Sequence, residues 1–346
     1  MRYGLGVIYA GGELLAVVER SGFVEGFHRG SVAILGPDGS VATAIGDITS
    51  PIFPRSSIKP MQAVGMLRAG LKLADDADLA LVAASHSGEE MHIRRVRGLL
   101  AAGGLEPSDL RTPPDLPLSR DAATALLRAG GEAAPIYMNC SGKHTGMLLT
   151  CVAAGWTLDD YRRPDHPLQQ RLRAAVADIS GEPIAAVGVD GCGAPALAIS
   201  LHALASAFLR HVTADPGTDE RRVADAMRAH PALVSGTGAD DDRLMRGLPG
   251  LLSKGGAEGV IAVAMPGVGV VAVKIDDGAM RARVPVLVTA LRSLGCDAPV
   301  LAELAEFALL GGGVPVGVVR SVLQVDRKST RLNSSHYALS RMPSSA

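Results

Sequence analysis

Five short strings place hydroxyls, amines and thiols where they could react. In FPRSSIKP, residues 53–60, Ser56 precedes Lys59 by three positions. If an extended segment ends at Pro54 and a helix starts near Ser56, both side chains share one helix face and Ser56 Oγ can approach Lys59 Nζ. A serine hydroxyl attacks a carbonyl only once a base takes its proton, and a lysine does so only when burial or nearby positive charge makes it neutral. Arg55 and Lys254 are candidate sources of that charge. A serine at a helix N-terminus also brings backbone N–H groups toward a developing oxyanion. The same string equally suits a plain helix start with a serine cap and a solvated lysine.

ASHSGEE, residues 84–90, follows the apolar run LALVA and precedes an amphipathic pattern, which puts Ser85 and His86 at a junction of the kind that faces clefts. Its other reading is a helix cap by Ser85 or Ser87, with Glu89 or Glu90 in the first turn. NCSGKHTG, residues 139–146, sets Cys140, Lys143 and His144 in a glycine-containing turn, and GVDGCGAP, residues 188–195, sets Cys192 between two glycines after Asp190. Two such cysteines could coordinate a thiophilic ion, Zn²⁺ being the best match, with Lys143 (as the neutral amine) or His144 as a third ligand. They could also be small buried apolar residues, since no C-x-x-C is present. Cys151 and Cys296 fall in apolar surroundings and are assigned to packing. Finally, LLSKGGAEGV, residues 251–260, places Lys254 before a Gly-Gly pair that leads into a strand, either at the mouth of a cleft or as a solvated loop lysine.

These side chains need a scaffold, and the composition supplies one. The chain has 346 residues, 47% hydrophobic and 20% charged, enough to bury a substantial core. Lysine plus arginine number 34 against 35 acidic residues, so no charge excess draws it to nucleic acid or an anionic membrane, and a small neutral or zwitterionic ligand fits better. No run approaches transmembrane length, and the opening MRYGLGVIYAGG lacks a sustained apolar stretch and a cleavage site, which predicts a cytoplasmic protein. From Asp326 the text DRKSTRLNSSHYALSRMPSSA abandons the Ala/Gly/Val-rich style and any apolar period. It reads as a translated sequencing-library adapter joined to a truncated gene, so residues 326–346 are set aside as a non-native tail. Its four basic residues stand against Asp326 alone, so without it the rest is more acidic and the small-ligand expectation stands.

Two hairpins are predicted: GSVAILGPDGSVATAIGD (30–47) around Pro37-Asp38-Gly39, and GVIAVAMPGVGVVAVKIDDG (259–278) around Pro266-Gly267. Between them the patterns are mainly helical: MQAVGMLRAGL, EEMHIRRVRGLLAAGG, HTGMLLTCVAAGW, LQQRLRAAVADI, PALAISLHALASAFLRHV and TDERRVADAMRAH. LALVAAS (79–85) and IAAVGVD (184–190) read as buried strands or brief connections. Two more helices are expected over 279–294 and 298–310. The outline is an α/β protein in which an antiparallel sheet from both ends of the chain flanks an inserted helical section.

Taken in order, FPRSSIKP, ASHSGE, NCSGKH, GVDGCGAP and LLSKGG resemble the asparaginase II family, the bacterial L-asparaginases unrelated to the threonine-dependent enzymes. GFVEGFHRGSVAIL, with Glu25, His28, Arg29 and Gly30, is similar to that family's N-terminal strand pattern. The resemblance spans roughly residues 13–320. It implies a fold like that of serine β-lactamases, penicillin-binding proteins and glutaminases. One catalytic domain would cover 1–325, with a sheet lobe from about 13–50 and 255–325 and a helical lobe over about 56–250. It implies two Ser-Lys pairs, Ser56 with Lys59 and Ser85 with Lys254, without separating nucleophile from relay. It implies zinc on Cys140, Lys143 and Cys192, a substrate-side role for Arg55, His86, His144 and Asp190, and a homodimer. The expected reaction is hydrolysis of L-asparagine to L-aspartate and ammonia through an acyl-enzyme. Alternatives are a serine amidohydrolase for glutamine or a β-lactam, and a non-catalytic, zinc-stabilised amino-acid-binding protein. The departures lie at the edges: MRYGLGVIYAGG has no identifiable counterpart, and the tail replaces whatever followed Val325.

Overall fold

The structure is a computed structural model that describes residues 9–325. The start of MRYGLGVIYAGG and the adapter-like tail lie outside the described residues.

Eight strands form one antiparallel sheet. β1 (Glu13–Arg20) and β2 (Phe23–Leu35) are joined by a tight turn, and β3 (Val41–Ile45) pairs back on the end of β2. The short β4 (Pro51–Ile52) leads to the helical section: α1 (Lys59–Arg68), α2 (Asp76–Val82), α3 (Glu90–Ala102), α4 (Arg120–Arg128), α5 (Ser141–Ala154) and α6 (Pro167–Ser180). β5 (Ala186–Val189) and β6 (Pro195–Ser200) make a small second sheet with β4, before α7 (Leu201–Thr213), α8 (Asp219–Ala229), α9 (Pro231–Ser235) and α10 (Asp240–Gly247). The chain then returns to the main sheet through β7 (Leu252–Gly255), β8 (Val260–Met265) and β9 (Gly269–Ile275), adds α11 (Met280–Ser293) and α12 (Pro299–Glu303), and ends in β10 (Glu306–Gly311) and β11 (Val314–Ser321). The strand order is β10-β11-β1-β2-β9-β8-β7, with β3 beside β2. Both ends of the chain therefore build one sheet around an inserted helical section, as the alternating patterns predict.

The β2–β3 and β8–β9 hairpins turn where Pro37-Asp38-Gly39 and Pro266-Gly267 place them. β8 and β9 bury consecutive residues rather than alternate ones, so both their faces are covered. The helices packed on them are α7 and α11. The long β2 pairs β1 with its first half and β9 with its second. At the changeover, a Cβ on Gly30 would stand 2.1 Å from Lys274 O and 2.9 Å from Leu15 Cδ1. Only glycine lets three strands close there.

Four expectations are corrected. Leu79–Val82 of LALVAAS form the second half of α2, a helix started by Asp75, whose side chain accepts from Ala77 N; a short all-apolar run carries no period to tell helix from strand. PALAISLHALASAFLRHV divides into β6 and α7 at Ser200, whose hydroxyl caps the helix by accepting from Ala203 N. The helix expected over 298–310 stops at Glu303, because residues 306–311 pair with β11. IAAVGVD contains the strand β5, but that strand is largely exposed rather than buried. Among the described residues no helix is long and apolar enough to cross a membrane.

Candidate active site

Ser56 lies in a single 3₁₀ turn, Arg55–Ile58, that runs into α1. It does not cap that helix: the N-cap is Ile58, and no side chain caps either element. Arg55 adopts φ +55°, a left-handed conformation that costs a non-glycine residue on the order of 1 kcal/mol. Its guanidinium holds it there, donating to Asp190 Oδ1 through Nε at 2.9 Å and Nη2 at 2.6 Å, with Glu258 at 3.6 Å. On the other side of Ser56, Ser57 Oγ donates to Lys254 O at 3.0 Å. Gly256 packs behind this turn, where a Cβ would meet Pro54 O at 2.3 Å. Ser56 is thus fixed through both neighbours and half-buried, while its own hydroxyl makes no hydrogen bond among the described residues.

Lys59 is 1% exposed, and its amine makes its hydrogen bonds to groups other than Ser56. Nζ donates to Ala84 O at 2.5 Å, Ser85 Oγ at 2.8 Å and Cys140 Sγ at 3.0 Å. Ser85 sits on an extended strap after α2, pinned by Ser85 N donating to Val234 O and His86 N donating to Asn139 O, both at 3.0 Å. Neither Ser85 nor Ser87 caps α3; its N-cap is Glu89, to which Ser87 Oγ donates at 2.6 Å. His86 accepts from Gly88 N at Nδ1, so Nε2 carries the proton and donates to Ser141 Oγ at 2.9 Å. Burial, aided by His92 and Lys59, holds His86 well below the ordinary histidine range, which keeps this brace neutral.

The amine at Ser85 is therefore Lys59. Lys254 is buried on β7 instead of solvated in a loop; its Nζ donates to Gly255 O at 2.7 Å and lies 3.8 Å from Asp241 Oδ2. Burial lowers its pKa to about 8, with Lys59 and Arg283 adding to the effect and Asp241 opposing it.

The thiols close the cluster. Cys140 precedes α5, and its contact with Cys192, followed by Lys59 and Lys143, holds it well below the ordinary cysteine range against the opposing effect of burial. Cys192 is pushed the other way by the same contact and by burial. Lys143 Nζ stands 3.4 Å from Cys192 Sγ. Burial works against its ammonium, but Cys192, Cys140 and Asp190 together raise it. Asp190 stays below the usual carboxylate range because Arg55 and Lys143 outweigh its burial.

Two sulfurs in contact with an amine beside them suit a thiophilic ion. Among the described residues no three His, Cys, Asp or Glu side chains gather as a ligand set, and the Lys143 amine beside Cys192 would have to lose its proton to serve as a third donor. His144 Nδ1 shares a 2.7 Å hydrogen bond with Tyr161 OH, which also accepts from Arg111 N at 3.1 Å. Nε2 is buried and has no hydrogen-bond partner among the described residues. Burial takes His144 down to about 4.

All eleven candidate residues thus belong to two linked groups: Lys59, Ser85, Cys140, Cys192, Lys143, His144 and His86 around the start of α5, and Arg55, Asp190, Ser56 and Lys254 around the 3₁₀ turn. The cavity of about 680 Å³ between α3 and α4, lined by residues such as Glu89, Arg94, Asp121 and Tyr137, touches none of them. Residues missed by pattern reading include Ser57, Ser141, Tyr161 and Asp241. Ser57 and Ser141 stood inside quoted strings. Tyr161 and Asp241 are distant in sequence and carry no local signal beyond being polar.

The family model described as L-asparaginase II matches residues 16–321. No curated protein sequence matches the chain. Among solved structures, it is similar to a β-lactamase from Mycobacterium bovis, with 16% identity, a TM-score of 0.43 and coverage of 80% of this chain and 95% of that one. It is also similar to a Bacteroides dorei protein provisionally named a β-lactamase, with 16% identity, a TM-score of 0.41 and coverage of 77% and 93%.

Proposed function

The chain belongs to the L-asparaginase II family, and on that premise we propose that it hydrolyses L-asparagine to L-aspartate and ammonia through a seryl acyl-enzyme. The observation that carries this reading is the 2.8 Å hydrogen bond between Lys59 Nζ and Ser85 Oγ in a buried setting. Ser85 Oγ attacks the side-chain amide carbon and Lys59 takes its proton. The C–N bond then breaks as Lys59 returns a proton to the departing ammonia, and water hydrolyses the ester. Lys254, as the ammonium, supplies positive charge, and Arg55 with Asp190 frames the opening beside Ser56.

A second reading has its own observation. The unbonded, half-buried hydroxyl of Ser56 suits it as the attacking group, with Ser85 passing its proton on to Lys59. The proposed Zn²⁺ would be held by Cys140, Lys143 and Cys192; when bound it supplies fixed positive charge for substrate binding. Cys140 would then bridge metal and base, being 3.0 Å from Lys59 Nζ. A homodimer and a cytoplasmic location are proposed from the family alone.

Ammonia release by the purified chain, with asparagine and glutamine side by side, tests the reaction. A pocket discriminates one methylene by only about 1–3 kcal/mol, so measurable glutamine turnover fits the proposal if asparagine is preferred. Glutamine preference points to the related amidohydrolase. Binding of asparagine with no ammonia from either substrate points to the non-catalytic amino-acid-binding protein.

A further inference from the structure

Asp241 takes no part in the proton transfers above and belongs to none of the strings that ordered the sequence. It is 4% exposed in the first turn of α10. Oδ1 accepts from Ser253 Oγ at 2.6 Å and from Gly255 N at 3.0 Å. Oδ2 lies 3.1 Å from the same N–H and 3.8 Å from Lys254 Nζ. Ser253, Lys254 and Gly255 are consecutive residues of β7, so one carboxylate grips the strand on both sides of the lysine and also faces its amine. An acidic residue at this place commonly serves its own helix. Here Asp242 does that, accepting from Gly238 N at 2.9 Å, which leaves Asp241 to the strand. The neighbouring Asp240 acts on the same turn indirectly: it pairs at 3.1 Å with Arg283, which donates to Gly256 O at 3.0 Å and Val260 O at 3.2 Å.

The charged groups around the Lys254 amine are Asp241 from α10, Lys59 from α1, Arg283 from α11 and Cys140 from the turn before α5. Arg283 is a permanent cation, Cys140 favours the ammonium, and Asp241 is the carboxylate that both bonds the strand carrying Lys254 and lies 3.8 Å from its amine. A buried ammonium persists only with counter-charge beside it.

We propose that Asp241 is the positioning residue for Lys254, fixing the strand that carries it and supplying the counter-charge that keeps its amine an ammonium. This deepens the proposed function, because it gives a use to Lys254 as a site cation.

The test follows Lys254 itself. Heteronuclear NMR of ¹⁵Nζ-labelled lysines in the full chain, with Lys254→Met identifying the resonance, gives its titration directly. In the wild type the expected midpoint is about 8, and in Asp241→Asn it is lower by about one unit or more. The alkaline limb of kcat/KM moves down with it, while KM below that limb stays within about twofold. A Lys254 midpoint unchanged by Asp241→Asn overturns the proposal. Should Asp241→Asn fail to fold, Asp241→Asn combined with Lys254→Met decides: recovery of the fold supports the counter-charge role, and continued misfolding reduces Asp241 to a structural acid and overturns it. If the wild type releases no ammonia from asparagine, the proposed reaction falls, and the NMR titration still decides the role of Asp241.

Discussion

The turn Arg55–Lys59 and the strap Ala84–Gly88 each present a serine, and they present it oppositely. The turn fixes Ser56 through its neighbours, Arg55 on Asp190 and Ser57 on the Lys254 carbonyl, and leaves the hydroxyl unbonded. The strap fixes Ser85 through backbone bonds to Val234 and Asn139 and joins its hydroxyl to a buried amine. Lys59 starts beside Ser56 in sequence and ends beside Ser85 in space. A hydroxyl's accessibility and its activation are thus separate properties, and here one lysine gives activation to the serine that is remote in sequence.

The most severe way to break this contrast is Lys59→Met, since either serine needs the base. The expected loss in kcat is roughly 10⁴-fold, read as ammonia release from protein whose circular dichroism is unchanged. Retention of a tenth of wild-type activity would remove Lys59 from the mechanism. Next comes the pair of serines. Ser85→Ala should cost about 10³-fold or more and abolish the acyl adduct seen by rapid-quench mass spectrometry, while Ser56→Ala should cost about 10–100-fold and keep the adduct. The reverse pattern would transfer the attack to Ser56. A smaller effect concerns zinc: chelation should raise KM about tenfold and leave kcat within threefold. Loss of kcat at constant KM would instead place the ion in the chemical step.

The pH dependence is gentler still and has a definite sign. Lys254 acts as the cation, and its folded value of about 8 lies below the ordinary lysine range. Activity should therefore fall as pH rises through about 8. Stability should move the opposite way: between that pH and the ordinary lysine range the unfolded chain holds a proton that the folded chain has released, so unfolding free energy rises with pH. Denaturant midpoints across that window check it, and a flat or falling trend would contradict a buried Lys254. The smallest effect is Glu258→Gln. Glu258 is 61% exposed and lies 3.6 Å from Arg55, so KM should stay within about twofold.

Much of this was legible in advance, for physical reasons. Hairpins announce themselves through turn residues whose backbone needs are local, as at Pro37-Asp38-Gly39. The reactive strings were legible because hydroxyl, amine and thiol residues cluster within a few positions of flexible glycines. What stayed hidden depends on partners far along the chain. The seven residues of α2 carry no period, and β10 is a strand because β11 lies beside it. A three-residue spacing suggested Ser56 with Lys59, but a 3₁₀ turn followed by a buried helix start sends the amine toward Ala84 instead. The Asp241 contact joins two segments through a strand whose position is set only by the completed sheet.

That sheet also has a temporal meaning. β1 lies between β2 and β11, and Ala16 faces Ser321, so this pairing waits until residue 321 has been synthesised. Pairings this remote form slowly and expose unpaired edges meanwhile. Lys59 and Ser85 can meet within the helical section, whereas Lys254 reaches its place only when β7 docks. A nascent chain on the ribosome would thus assemble its base and hydroxyl before its second cation, and competence would arrive last, with closure.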